Sequence, residues 1–116
     1  MSTEDLAVAA TEHGPLTIRS SRQEDAHIVA LHGELDLASC GGLRDQMGEI
    51  EQTDADHIVL DLSGLEFMDS HGLRTILEIE ARSRSDGKRL GILRGRPAVQ
   101  RLFQLTDTED RLSFLD

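Results

Sequence analysis

The sequence is poor in aromatic residues and almost free of cysteine. Three Phe, no Trp and no Tyr make up 3% of the chain, so a core must be built from aliphatic side chains. Cys40 is the only cysteine, which excludes an internal disulfide and a cysteine-built zinc site. Both absences fit a reducing cytoplasm. The simplest interpretation of Cys40 is a small buried residue of a helix, because free cysteine is often buried.

The sequence also lacks long apolar runs. No run approaches the roughly 18 residues that a membrane-spanning helix needs. The first fourteen residues, MSTEDLAVAATEHG, contain neither the basic region nor the apolar region of a secretory signal. We therefore expect a cytoplasmic protein with no membrane partner.

Basic residues are scarce: 12 Lys and Arg stand against 22 Asp and Glu, giving a net charge of −10. An acidic surface repels phosphate backbones, so direct binding of nucleic acid is disfavoured. Partners with basic faces are favoured instead. The histidines show no metal-ligand spacing with carboxylates, and Gly41-Gly42 lacks the other residues of a phosphate loop. The sequence thus predicts no metal site and no cofactor.

The hydrophobic pattern predicts one α/β domain, which suits a length of 116 residues. The expected order is β-β-α-β-α-β-α-(β), a mixed sheet with helices packed on it. The short first connection predicts an antiparallel pair, and the strand–helix–strand passages predict parallel crossovers. Residues 1–14 are polar and aperiodic, so we expect a flexible tail before a domain at 15–116. Strands are predicted at 16–18, 27–31, 58–62 and 90–93, and helices after a Ser39 N-cap, over 70–84 and from Pro97. Residues 112–115 are predicted to form either a short last strand or an apolar end that packs on the sheet.

The segment from Ile58 to Leu77, IVLDLSGLEFMDSHGLRTIL, organises the chain. A strand with near-continuous apolar character, which predicts burial on both faces, is followed by a predicted turn at Ser63-Gly64. The period becomes helical near Ser70, and either Asp69 or Ser70 is a suitable N-cap. Unpaired amides and the positive end of the helix dipole would accommodate a phosphate on Ser70. The alternative is that Ser70 is only a cap.

A catalytic pair of Ser70 with His71 is disfavoured. Neighbours on a helix with 3.6 residues per turn point about 100° apart, so the two side chains do not face each other. No other pattern supplies an oxyanion hole or a serine-hydrolase elbow.

Three segments resemble one family. LDLSGLEFMDSHGL is similar to the phosphorylation loop of the STAS domains that act as anti-sigma factor antagonists in bacteria. Gly33-Glu34-Leu35-Asp36 resembles that family's GELD turn, and PAVQRLF from Pro97 resembles its PAVxRLF helix start. The segments come in the family's order and cover roughly Leu16 to Leu115. His71 departs from the pattern, because a small hydroxyl residue is common there.

The resemblance implies a regulatory protein that is the substrate of an enzyme and not an enzyme itself. In that family, the unphosphorylated form binds an anti-sigma factor, a serine kinase of the GHKL type, and so frees a sigma factor for RNA polymerase. The kinase uses ATP to phosphorylate the serine matched by Ser70, which ends the binding, and a serine phosphatase restores it.

The same resemblance implies a GELD turn close to the serine loop and a partner-binding surface around both segments. Asp36 would contribute to phosphoryl transfer or partner contact, although a turn or cap residue is its ordinary alternative. Another alternative is a STAS module that is never phosphorylated and scaffolds a complex or binds a nucleotide or lipid. The surface would comprise Gly33, Glu34, Asp36, Met68, Asp69, His71 and Gly72.

Overall fold

The computed structural model describes residues 8–115, and in them a five-stranded mixed sheet carries three α-helices. The predicted α/β class and element order are confirmed, with one more strand at the N-terminal side. No helix within 8–115 is long and apolar enough to cross a membrane. The elements are β1 Val8–His13, β2 Leu16–Gln23, β3 Ala26–Leu35, α1 Leu37–Glu51, β4 His57–Met68, α2 Ser70–Ser85, β5 Arg89–Leu93 and α3 Pro97–Leu105.

The strands lie in the sheet in their order along the chain, β1-β2-β3-β4-β5. The first three strands are antiparallel neighbours, whereas β3, β4 and β5 run parallel. Helices α1 and α2 make the two connections between the parallel strands. As a result, β3 and β4 end at the same edge of the sheet, and both helices begin there.

The predicted N-terminal tail, residues 1–14, is too long, because part of it forms a strand. Residues 1–7 lie outside the described part of the chain, but Val8–His13 form β1, an edge strand paired with β2 from Val8↔Ser21 to His13↔Leu16. The prediction failed because an edge strand can form without alternating buried apolar residues. Its polar residues are therefore hard to distinguish from those of a flexible tail. Gly14 makes the hairpin turn at a φ of +59°, and the His13 ring packs against Gly42, where no Cβ is in the way.

Strand β4 does not turn at Ser63-Gly64, as the sequence suggested, but continues to Met68. Two irregularities in its register with β3 lie here, one between Ala30 and His32 and one between Gly33 and Glu34. The buried positions Leu62, Leu65 and Met68 are consequently three residues apart instead of two. This break in period caused the wrong prediction of a turn.

Burial along β4 alternates, so the expected burial on both faces is wrong. Ile58, Leu60 and Leu62 are fully buried, while Val59 and Asp61 between them are only half-buried. The half-buried face of β4 thus includes the polar Asp61.

The core is aliphatic except for the fully buried Phe103, whose ring meets that of Phe114 edge to face at 5.8 Å. Cys40 is buried among these residues, as predicted. The last apolar segment, 112–115, packs on the sheet through a single parallel bridge between Phe114 and Ile92.

Candidate functional site

Two aspartates mark the edge where β3 and β4 end. Leu35 is the last residue of β3 and pairs with Met68, the last residue of β4. The amide of Asp69 donates to the carbonyl of Leu35 at 3.2 Å, which fastens the two strand ends together. Asp36 and Asp69 follow these strand ends directly, so the GELD segment lies beside the serine loop.

Asp36 is the N-cap of α1. Its Oδ1 accepts hydrogen bonds from the amides of Ala38 at 3.1 Å and Ser39 at 3.2 Å. In return, Ser39 Oγ accepts from the amide of Asp36 at 3.0 Å, completing a capping box. The expected N-cap at Ser39 is therefore wrong. The helix starts earlier because Leu37, an exposed apolar residue, lies outside the buried stripe from which the start was inferred.

Asp69 is the N-cap of α2, which decides between the two caps that the sequence left open. Its Oδ1 accepts from the amides of His71 at 2.9 Å and Gly72 at 3.0 Å. Ser70 is the first helical residue and is exposed. Within residues 8–115 the Ser70 hydroxyl makes no hydrogen bond, so the Ser70 side chain does not cap the helix.

The first-turn amides are largely occupied. The carboxylate of Asp69 takes those of His71 and Gly72, and its carbonyl takes that of Leu73 at 3.0 Å. The expectation that these amides would accommodate a phosphate on Ser70 is therefore wrong for all three. These three amides are not free to bind such a phosphate.

The carboxylate of Asp69 is held in its ionised form. Desolvation by burial raises the pKa of Asp69, but hydrogen bonds from Gly72 and His71 and the nearby His71 ring outweigh it. The resulting pKa lies below the ordinary value. The His71 Nδ1 atom is 3.5 Å from Asp69 Oδ2. A full negative charge therefore lies directly beside Ser70 at neutral pH.

Two of the residues predicted to contact a partner are buried. Met68 is 6% exposed, and Gly72, in the first turn of α2, is buried against Leu35 at the end of β3. A Cβ added at Gly72 would come within 2.8 Å of the Leu35 carbonyl oxygen and 2.7 Å of the Met68 side chain. These residues shape the site from inside and offer little surface to a partner.

The other predicted residues reach the surface. Glu34 and His71 are exposed, and Gly33, Asp36 and Asp69 are half-buried. Gly33 has a φ of +96°, and a Cβ there would overlap the carbonyl of Pro15. That carbonyl accepts from the amide of Glu34 at 3.1 Å. The GELD segment is thus fixed by backbone contacts that only glycine permits.

A shallow groove of about 510 Å³ runs from Ser70 along α2. Its lining consists of Ser70, Leu73, Arg74, Leu77, Glu78, Ala81 and, from beyond α3, Arg111. No group of three or more His, Cys, Asp or Glu side chains within 8–115 has the arrangement of a metal site. The site therefore presents the accessible hydroxyl of Ser70, with the carboxylate of Asp69 before it in the chain and the arginines Arg74 and Arg111 in the groove.

Comparison with known proteins identifies the family. The family profile described as "Mlab, STAS domain" matches residues 18–115. The chain belongs to the STAS-domain family. An anti-sigma F factor antagonist of Paenibacillus polymyxa is 36% identical over 92 residues, covering 78% of this chain and 79% of that protein. This relative places the STAS domain within the anti-sigma factor antagonist group, which comprises regulatory binding proteins and not enzymes.

Two solved structures share the fold of this STAS domain. An anti-sigma factor antagonist from Mycobacterium paratuberculosis has a TM-score of 0.73 at 21% identity, covering 98% of this chain and 89% of that one. The Bacillus cell fate determinant SpoIIAA in its phosphorylated form has a TM-score of 0.63 at 19% identity, covering 95% and 92%.

Sequence reasoning missed four surface residues of the STAS domain around Ser70. Leu37 and Phe67 are 67% and 49% exposed, and Phe67 pairs with Glu34 beside the capped helix starts. Their apolar character predicted burial, and only the register irregularity reveals that Phe67 points outward. Arg74 could have been predicted as a neighbour of Ser70 from its spacing of four residues on the same helix. Nothing in the sequence predicts that Arg111 lines the same groove.

Proposed function

We propose that this STAS domain is an anti-sigma factor antagonist controlled by phosphorylation of Ser70. Unmodified, it binds an anti-sigma factor that is a GHKL-type serine kinase, and the sigma factor is released for transcription. The observation that carries the proposal is the exposed Ser70 hydroxyl, which is left without a structural role because Asp69 caps the helix.

The modification is an ordinary phosphoryl transfer. Ser70 Oγ attacks the γ-phosphorus of ATP held by the kinase, an O–P bond forms, and the bond to the bridging oxygen of ADP breaks. ADP leaves with its charge, and the hydroxyl proton is released to solvent. A serine phosphatase reverses the modification by hydrolysis, returning inorganic phosphate and Ser70. The STAS domain supplies the acceptor and its position, and ATP remains the kinase's ligand.

The partner surface consists of the exposed residues around the two helix starts. Leu37 and Phe67 offer apolar contact area next to the polar Glu34 and His71. A phosphate on Ser70 adds about −1.5 to −2 charges to this surface at neutral pH. Since Asp69 already carries a negative charge there, an approaching partner meets like charge, and its binding weakens.

Two relatives support the proposal. The Paenibacillus polymyxa protein is named as an antagonist of anti-sigma F factor. SpoIIAA has a phosphorylated form whose fold this chain shares.

The test is intact-mass spectrometry after incubation with ATP, Mg²⁺ and each GHKL-type serine kinase of the source genome. We expect one added phosphoryl group, its loss in Ser70→Ala, and retained kinase binding by that variant. Ser63→Ala is the matched control, because Ser63 is also exposed and lies close along the chain. Phosphate on Ser63 would refute the assignment of the acceptor. Tight binding of a partner without any phosphorylation would favour the scaffold or ligand-binding alternative.

A further inference from the structure

The groove beside Ser70 is lined by one stripe of α2. Its residues from this helix, Ser70 to Ala81, are separated by three or four positions and therefore share one face. Arg111 closes the groove from the 3₁₀ turn Glu109–Arg111 after α3. Ser70 is itself part of this lining, at the N-terminal end of the stripe.

The groove contains two arginines that have no acidic partner among residues 8–115. Other arginines of residues 8–115 also lack an ion pair, so what distinguishes the groove is that two of them line it together with Ser70. The only acid in the groove lining is Glu78. Its Oε2 lies 3.2 Å from Arg44 Nη2, so its charge is already compensated. Arg74 and Arg111 thus bring positive charge without an ion-pair partner into the same groove as Ser70.

Helix geometry directs Arg74 toward the acceptor. Side chains on a helix lean toward its N-terminus and cover the turn that precedes their own Cα. Arg74 is one turn after Ser70, so this general direction leads its side chain toward the turn that contains the hydroxyl. Residues at this spacing have Cβ atoms about 5–6 Å apart, which a phosphoserine and an arginine span with ease.

We propose that the phosphoryl group on Ser70 is captured within the chain by Arg74 and Arg111. The inference rests on the proposed phosphorylation of Ser70. The guanidinium fork suits phosphate oxygens, and such charge-assisted hydrogen bonds are among the strongest in proteins. The amides of His71, Gly72 and Leu73 cannot supply these bonds, because Asp69 occupies them. Capture also removes two positive charges from the surface that a partner meets.

The experiment measures the second pKa of the phosphate by ³¹P NMR titration. Phosphoserine is placed at position 70 by genetic code expansion, so no kinase is needed. Nearby cations stabilise the dianion and lower this pKa, and removing one raises it. We expect Arg74→Gln to raise the pKa by about 0.4 units, as for helix ion pairs of this spacing, and Arg111→Gln to raise it as well.

Arg101→Gln is the matched control, an exposed arginine of α3 outside the groove, and it should leave the pKa unchanged. An unchanged pKa in Arg74→Gln, or an equal rise in Arg101→Gln, would overturn the proposal. Because the phosphate is introduced without the kinase, a failure here is distinguishable from failure of the proposed function, which would appear as missing phosphorylation in the mass measurement.

Discussion

At the residue scale, two aspartate caps fix the helix starts at the candidate site, and Asp69 fixes the one that begins at Ser70. The sequence offered Asp69 and Ser70 as equivalent caps, because both side chains carry an oxygen that reaches first-turn amides. Only the backbone decides between them: Asp69 has extended φ and ψ angles, and Ser70 is already helical. Likewise, Ser39 was chosen over Asp36 because an exposed Leu37 conceals the true helix start. Local chemistry predicts that a cap exists, and not which of two neighbours forms it.

The first prediction concerns Asp69 as a cap. Asp69→Ala removes the acceptor for two amides and should lower the free energy of unfolding by about 1 kcal/mol, whereas Asp69→Asn should lower it by a few tenths. Urea denaturation measures both. The control is Asp45→Ala, which removes an exposed carboxylate of α1 and should cost less. Equal losses for Asp69→Ala and Asp45→Ala would contradict the capping role.

The second prediction follows from the lowered pKa of Asp69. Where the folded state lowers a carboxyl pKa, the stabilisation is present above the unfolded-state pKa, about 3.9, and is lost as pH falls through the folded-state pKa. The stability difference between the wild type and Asp69→Asn should therefore be constant from pH 6 to 5 and shrink below about pH 4. Chemical denaturation across this range tests it, and a difference that grows in acid would show the opposite sign.

At the element scale, α1 and α2 are joined by a buried ionic contact. The Glu51 side chain is 1% exposed, and its Oε1 lies 2.6 Å from Nε of Arg82, which is 38% exposed. Ser83 Oγ donates to the other carboxylate oxygen at 2.8 Å, and Arg82 Nη2 donates to the carbonyl of Arg44 at 3.2 Å. This contact aligns the two helices whose N-termini flank the candidate site.

The third prediction is an asymmetry between the partners of this contact. Arg82→Met leaves a buried, unpaired carboxylate and should cost about 3–5 kcal/mol of unfolding free energy. Glu51→Gln leaves an arginine that can turn to solvent and keeps an acceptor for Ser83, so we expect about 1–2 kcal/mol. Denaturant unfolding of both variants gives the comparison. The idea fails if Glu51→Gln is the more damaging change.

Element prediction from sequence succeeded where the apolar period was regular. The face of α2 and the parallel crossovers follow from residues such as Leu73 and Ile76, which recur at helical spacing. Strand β4 was cut short because the register irregularities near Gly64 shift its buried positions. Such shifts depend on the neighbouring strand, here on the His32 ring beside Gly64, and no local pattern contains that information.

At the scale of the whole molecule, the proposed switch works by charge and leaves the fold intact. Ser70 is exposed, and a phosphate there displaces no buried group. Like-charge juxtaposition at an interface costs several kcal/mol, and each 1.4 kcal/mol is about tenfold in affinity.

The fourth prediction is that the phosphorylated chain binds the kinase at least ~10-fold more weakly, with an almost unchanged melting temperature. Ser70→Asp should act in the same direction but less, because it carries less charge. Calorimetric titration compares the forms, with Ser63→Asp as the control on the neighbouring surface. Equal affinities would exclude repulsion, and a collapsed melting temperature would indicate switching by unfolding.

The order of the strands has a consequence for how the chain folds during synthesis. Each strand pairs with the one before it along the chain, so no strand has to be inserted between two that have already formed. The antiparallel strands β1 to β3 are joined by short loops. Strands β4 and β5 can each be added only after the helix that precedes it has been synthesised. A chain emerging N-terminus first can therefore extend the sheet one edge at a time. Since only Asp69 separates Ser70 from the end of β4, a nascent chain displays the proposed acceptor in its native position only after four strands have assembled, and a shorter nascent chain would offer the proposed kinase no ordered target.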